Sequence, residues 1–181
     1  MPRYVALLRA INVGGHTVKM DRLRALFETL GFGRVETFIA SGNVIFETAD
    51  GDAAALERRI EAHLHAELGY AVATFLRTPA ELRAAAGAEP FPRAELEQDG
   101  NPLYLGFLHR EPEHAAHERL TGLATERDSF AMRGRELYWL ARGGMGTSKI
   151  TNAKLEKALG MPATLRNVTT VRQLASKYAE D

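Results

Sequence analysis

Apolar residues along this chain fall into two periods, and the periods alternate. Tyr4 to Leu8 is continuously apolar, as in a central strand covered on at least one face. Met20, Leu23, Leu26, Phe27 and Leu30 recur at helical spacing before Gly31, which predicts an amphipathic helix over 20–30 with a glycine cap. Val35 to Ala40 and Val44 to Thr48 are short β-rich runs around Ser41-Gly42-Asn43, the pattern of a tight two-residue hairpin. Leu56, Ile60, Leu64 and Leu68 mark a second helix, with Asp50 or Asp52 as its cap and Gly69 as its stop, and Ala71 to Arg77 reads as a fourth strand.

This β-α-β-β-α-β order is that of the ferredoxin-like split βαβ arrangement, an antiparallel sheet with two helices on one face. It recurs. A short helix over 79–86 and a stretch over 87–101 rich in Pro and acids, read as a linker, are followed by strand 103–108, helix 113–123, a hairpin of 129–133 and 136–141 about Gly134, helix 152–159 and strand 163–166. A last helix over 171–178 is opened by Thr170 with Gln173 three residues later, a capping-box pattern. The expected fold is α+β: two tandem ferredoxin-like halves, 1–86 and 102–181, joined by 87–101 and ending in a C-terminal helix. At this level the repeat is one of architecture, without matching residues.

Composition narrows the partners. Lys and Arg number 23 and Asp and Glu 23, so the excess positive charge of a dedicated nucleic-acid or acidic-membrane binder is missing at whole-chain level. There is no cysteine, which removes disulfides, thiolate zinc sites and cysteine nucleophiles and points to a cytoplasmic location. The start, MPRYVALLRAIN, has too short an apolar stretch for a signal peptide, and no run approaches a membrane span.

Topology then gathers distant polar residues. If short connections reverse the chain at each step, the loop after strand one and the turn between strands two and three share one end. Arg9, Asn12, Gly14, Gly15 and Lys19 are thereby placed near Ser41, Gly42 and Asn43. In the second half the same rule puts 143–149, Gly-Gly-Met-Gly-Thr-Ser-Lys, beside Arg166 and Asn167. Glycines let backbone N–H groups approach a ligand, and helix N-termini carry partial positive charge suited to phosphate or carboxylate. Lys19 and Lys149 both stand where helices begin, a position a cation disfavours unless an anion joins it. The competing reading is that Gly14-Gly15 and Ser41-Gly42-Asn43 only shape turns. The lysine of the second glycine stretch follows Thr147-Ser148 and so departs from the Walker order. His16 and Ser41 share the first site without a carboxylate to orient the imidazole, and His114 and His117 have metal-compatible spacing without a third ligand, so no metal site is assigned. Tyr138 and Trp139 read as core, and Ala40 to Phe46 does not supply the aromatic pattern of an RNA-recognition sheet.

The blocks LLRAINVGG, KMDRLRALFETLGF, VETFIASGNVIFE and SKITNAKLEKALG with ATLRNVTTVRQL resemble the bacterial proteins grouped as domain of unknown function 1697. The Thr164, Arg166 and Asn167 ending adds to the likeness. The family commonly has Gly where Ala10 stands and a large residue near Val168. The resemblance implies a bacterial α/β protein with duplicated halves and no established activity, substrate or cofactor. The resulting expectation is binding of a small anionic, phosphate-bearing ligand at Arg9, Asn12, Gly14, Gly15, Lys19, Ser41, Gly42 and Asn43, completed by Lys149, Arg166 and Asn167 if the halves face each other. Nucleic-acid binding on open sheet faces and a non-catalytic partner-binding module are the alternatives. No residue set identifies a reaction or a cofactor.

Overall fold

Five of the six residues of β1 (Arg3–Leu8) are buried, because this strand lies inside its sheet and is covered on both faces. The computed structural model describes residues 1–12, 15–39 and 42–179. Its chain divides into two compact units, Met1–Leu82 with the chain end from Lys177, and Arg83–Ser176. In the first unit β1 is followed by α1 (Met20–Thr29), β2 (Gly33–Thr37), β3 (Asn43–Glu47), α2 (Ala53–Leu68) and β4 (Thr74–Arg77). The strands form an antiparallel sheet in the order β2-β3-β1-β4. Tyr4, Ala6, Leu8, Val44 and Phe46 pack with Leu23 and Phe27 of α1 and Leu56, Ile60 and Leu64 of α2.

Local chemistry sets the element ends. Asp52 accepts the N–H of Ala55 at the start of α2, and Gly69 closes that helix in the left-handed conformation. The outer edge of β4 is taken up by α2: Glu57 accepts the N–H of Leu76 at 3.2 Å and Glu61 that of Thr74 at 3.3 Å. Carboxylates one helical turn apart thus reach alternate donors of an edge strand.

The second unit repeats the plan. After α3 (Pro79–Gly87) and a short α4 (Arg93–Leu96) come β5 (Leu103–Phe107), α5 (His114–Thr121), β6 (Asp128–Arg133), β7 (Glu136–Ala141), a 3₁₀ turn at Met145–Thr147, α6 (Asn152–Leu159), β8 (Thr164–Asn167) and α7 (Val168–Lys177). The sheet order, β6-β7-β5-β8, is the same as in the first unit. Register exposes matches that the sequence alone does not. Tyr4 pairs with Phe46 as Tyr104 pairs with Trp139, and Val5 faces Arg77 as Leu105 faces Arg166. Each of these arginines is buried and donates to the carbonyl of the residue before it.

Four expectations are corrected. The β2–β3 connection is not a two-residue hairpin: Phe38 N–H bonds Asn43 O, so Asn43 opens β3 and is no part of the turn. The fourth strand begins at Thr74 rather than Ala71. Helix α7 starts at Val168, three residues early, because β8 runs directly into it and Asn167, not Thr170, accepts the N–H of Thr169. Finally, Val5, Leu7, Ile45 and Phe75 in one sheet, and Leu105, Phe107, Tyr138 and Leu140 in the other, are buried on the face away from the helices. Neither sheet offers the open aromatic face that nucleic-acid reading requires.

Candidate functional site

The eleven residues from Arg9 to Lys19 connect β1 to α1, where strand-to-helix loops ordinarily take about 2–6 residues. The base of this loop is pinned. Asn12 Oδ1 accepts the N–H of Val18 at 2.7 Å, the side chains of Ile11 and Val18 are buried, and Tyr70 donates its hydroxyl to Ile11 O at 3.1 Å. The His16 ring stacks on Tyr70 with centroids 3.8 Å apart. Above that base, Gly15 has φ +84° and open space around it. Lys19 is the exposed N-cap residue of α1 and makes no side-chain capping bond. Arg9 is half-buried, and its backbone N–H bonds Ala73 O at 2.9 Å. Gly14 lies outside the described residues.

The β2–β3 loop meets this one, as the topology predicts. Leu8 N–H donates to Gly42 O at 2.8 Å. Gly42 holds φ +87°, and a Cβ there would stand 2.7 Å from Ile11 Cγ2. Asn43 is fully buried and donates from Nδ2 to Phe38 O at 2.9 Å. Ser41 lies outside the described residues. Arg9, Asn12, Gly15, Lys19, Gly42 and Asn43 therefore share one end of the first sheet. Within that group Asn12, Gly42 and Asn43 hold the loops in shape, whereas Gly15 and Lys19 face outward. Two non-glycine residues here take left-handed backbone, Ala10 at φ 54° and Ile39 at φ 61°, a conformation costing roughly 1–2 kcal/mol for an L-residue.

The second cluster is dispersed within its own unit. Arg166 is buried, donates from Nη1 to Thr164 Oγ1 and Leu165 O, and is pulled down to about 10 by burial. Asn167 caps α7 and lines a cleft of about 690 Å³ together with Arg93, Glu97, Asn101 and Arg172. Arg93 there is engaged by Glu89 and Glu97. Lys149 lines a separate cleft of about 520 Å³ with Arg127, Asp128 and Ser148.

Sequence reading missed the residue that shapes this last region. Asp128, 2% exposed, accepts hydrogen bonds from Trp139 Nε1 at 2.9 Å, Ser148 Oγ at 2.8 Å and Thr125 Oγ1 at 2.8 Å. It anchors the glycine stretch through Ser148, while Thr147 Oγ1 donates to the Gly144 carbonyl at 3.0 Å. The only sequence signal was a lone Asp opening a strand beside the strand of the single tryptophan. His114 and His117 stack at 5.9 Å on α5, and no cluster of metal-ligating side chains occurs among the described residues. Nor is any helix of the described residues long and apolar enough to cross a membrane.

Over residues 1–138 the sequence matches the model of the family described as Protein of unknown function (DUF1697). The chain belongs to this family. The match takes in the whole described loop end of the first unit and extends into β7 of the second. No curated protein matches the sequence. Among solved structures, this family member is similar to the conserved bacterial protein SP0830 from Streptococcus pneumoniae, at 23% identity over 99% of each chain with a TM-score of 0.73. At that identity the likeness establishes a shared fold and nothing of activity.

Proposed function

We propose that this protein binds a small anionic ligand, carrying phosphate or carboxylate, in the cytoplasm, at the loop end of the first unit. The observation that supports the reading is Lys19. It is an exposed cation at the N-terminus of α1, where the helix dipole opposes it by roughly 0.3–1 kcal/mol, and its side chain makes no capping bond. An anion seated between Lys19 and the α1 N–H groups satisfies both. Arg9 adds a second charge, Gly14 and Gly15 offer backbone donors, Ser41 orients the ligand, and Asn12, Gly42 and Asn43 keep the two loops in register.

Thermal unfolding against inorganic phosphate, nucleotides, sugar phosphates and carboxylates tests the reading. A compound at about 100 times its dissociation constant stabilises by roughly 2.7 kcal/mol, a rise of several degrees in Tm. The expected result is such a rise with one class of anion, lost in Lys19→Ala while the unliganded Tm of the variant is unchanged. Equal shifts in both proteins, or none with any compound, overturn it. That outcome leaves the loops as folding devices, the role in which Asn12, Gly42 and Asn43 already serve.

A further inference from the structure

Four strands end the two sheets, and three of them are guarded. The edge of β2 is broken by a register shift between Gly33 and Glu36 and carries the exposed charges of Arg34 and Glu36. On β4 the N–H groups of Thr74 and Leu76 are taken by Glu61 and Glu57. The last, β8, has four residues and passes straight into α7. The remaining edge, β6, pairs with β7 without interruption from Asp128 to Arg133, and its middle, Ser129-Phe130-Ala131-Met132, is uncharged and half-exposed.

The direction of its free groups follows from the ladder. Arg142 N–H bonds Arg127 O, so the alternating pattern aims the backbone groups of Ser129 and Ala131 at β7 and those of Phe130 and Met132 outward. Asp128 points the same way, but its N–H and C=O are already taken by Thr125. Phe130 and Met132 have no backbone hydrogen-bond partner of this kind among the described residues. Four orphan groups on an uncharged edge form a template for strand addition.

We infer that β6 is a self-association surface, on which a second copy of this chain lays its own β6 antiparallel about Ala131. The pattern is complementary to itself. With Ala131 opposite Ala131, Phe130 of each copy faces Met132 of the other and the two residues exchange both backbone hydrogen bonds. All four orphan groups are satisfied. Phe130 and Met132 lie on the helix-bearing face, packed against the core of Trp139, Leu137 and Leu155, so this register continues the sheet with helices on the same side in both copies. A pairing shifted by one residue would set apolar positions against the opposite face. The cross-strand pairs are apolar with a thioether beside an aromatic ring, Ser129 faces Arg133, and no like charges oppose.

Sedimentation of the full chain over a range of concentrations tests the inference. The expected result is a mass that rises with concentration from 19.9 kDa toward twice that value. Ala131→Lys, which sets two ammonium groups against each other on the symmetry axis, holds the chain monomeric. Because the native chain contains no cysteine, Ala131→Cys supplies a single thiol. Opposed residues of a non-hydrogen-bonded pair have Cα atoms about 4.5 Å apart, within the span of a disulfide, so mild oxidation yields a covalent dimer. Thr37→Cys, on the guarded β2 edge, yields none. A monomeric mass at every concentration, or equal cross-linking at positions 131 and 37, overturns the inference. If Ala131→Lys fails to fold by circular dichroism, the cross-linking pair decides.

Discussion

Ala10 precedes Ile11 in the chain and Gly42 approaches Ile11 in space, and both hold a left-handed backbone angle. Ala10 is exposed at φ 54°; a methyl group there costs roughly 1–2 kcal/mol, against which glycine forfeits about 0.5–1 kcal/mol of chain entropy. Ala10→Gly is therefore expected to stabilise the protein by about 0.5 kcal/mol in urea unfolding. Gly42 is the opposite case. Its φ of +87° and the 2.7 Å approach of Ile11 Cγ2 to any Cβ leave no room for a methyl. Gly42→Ala is expected to cost at least about 2 kcal/mol, since left-handed strain and overpacking add. A loss below 1 kcal/mol in the same measurement would mean that the two loops part easily and that Gly42 does not set their spacing.

At the level of elements, what was legible is what short-range chemistry decides. Helix α2 follows its Asp52 cap and Gly69 stop, α6 starts and ends where its periodicity does, and the order of strands follows from short connections. The convergence of Arg9 and Lys19 with Gly42 was legible for the same reason. What escaped depends on which partner a polar side chain finds once the chain is folded. Strands β2 and β3 pair as expected, but the Gly-Asn signal failed as a two-residue turn because Asn43 spends its amide inside, on Phe38 O, and Asp128 drew no notice because its donors come from Thr125, Trp139 and Ser148. That hub supports an expectation of its own. Asp128→Ala strands the buried indole N–H of Trp139, at a cost of about 1–3 kcal/mol, and frees the glycine stretch from its Ser148 anchor. Fluorescence of Trp139, the single tryptophan, reports it directly: a red-shifted native emission and an earlier urea midpoint, both partly restored in Asp128→Asn, which keeps one acceptor for the indole.

For the whole molecule, high pH reads the burial of one tyrosine in each unit. In the second, burial and then the charge of Glu136 push the Tyr138 hydroxyl up to about 12, and that hydroxyl donates to Ala85 O at 2.8 Å. In the first, burial and then the bond to Glu36 push Tyr178 up to about 12, with the hydroxyl 3.0 Å from Glu36 Oε2. Both folded values exceed the unfolded value of 10.0. The native state thus keeps protons that the unfolded chain releases, and the stability these phenols contribute is complete below pH 10 and lost as pH rises through about 12. Arg166 works against this. Burial brings it from 12.5 down to about 10, so the unfolded chain binds the extra proton between those values and stability gains with pH there. Replacing a phenol by phenylalanine removes one descending contribution and leaves the ascending one. Tyr138→Phe and Tyr178→Phe are each expected to lower stability near neutral pH, through a lost hydrogen bond, and to lose less than the native protein does between pH 9.5 and 11.5. Urea midpoints at those two values give the comparison. Parallel losses in native and variant proteins would mean that the phenols ionise in the folded chain as they do in the unfolded one, and that the interior around them admits water.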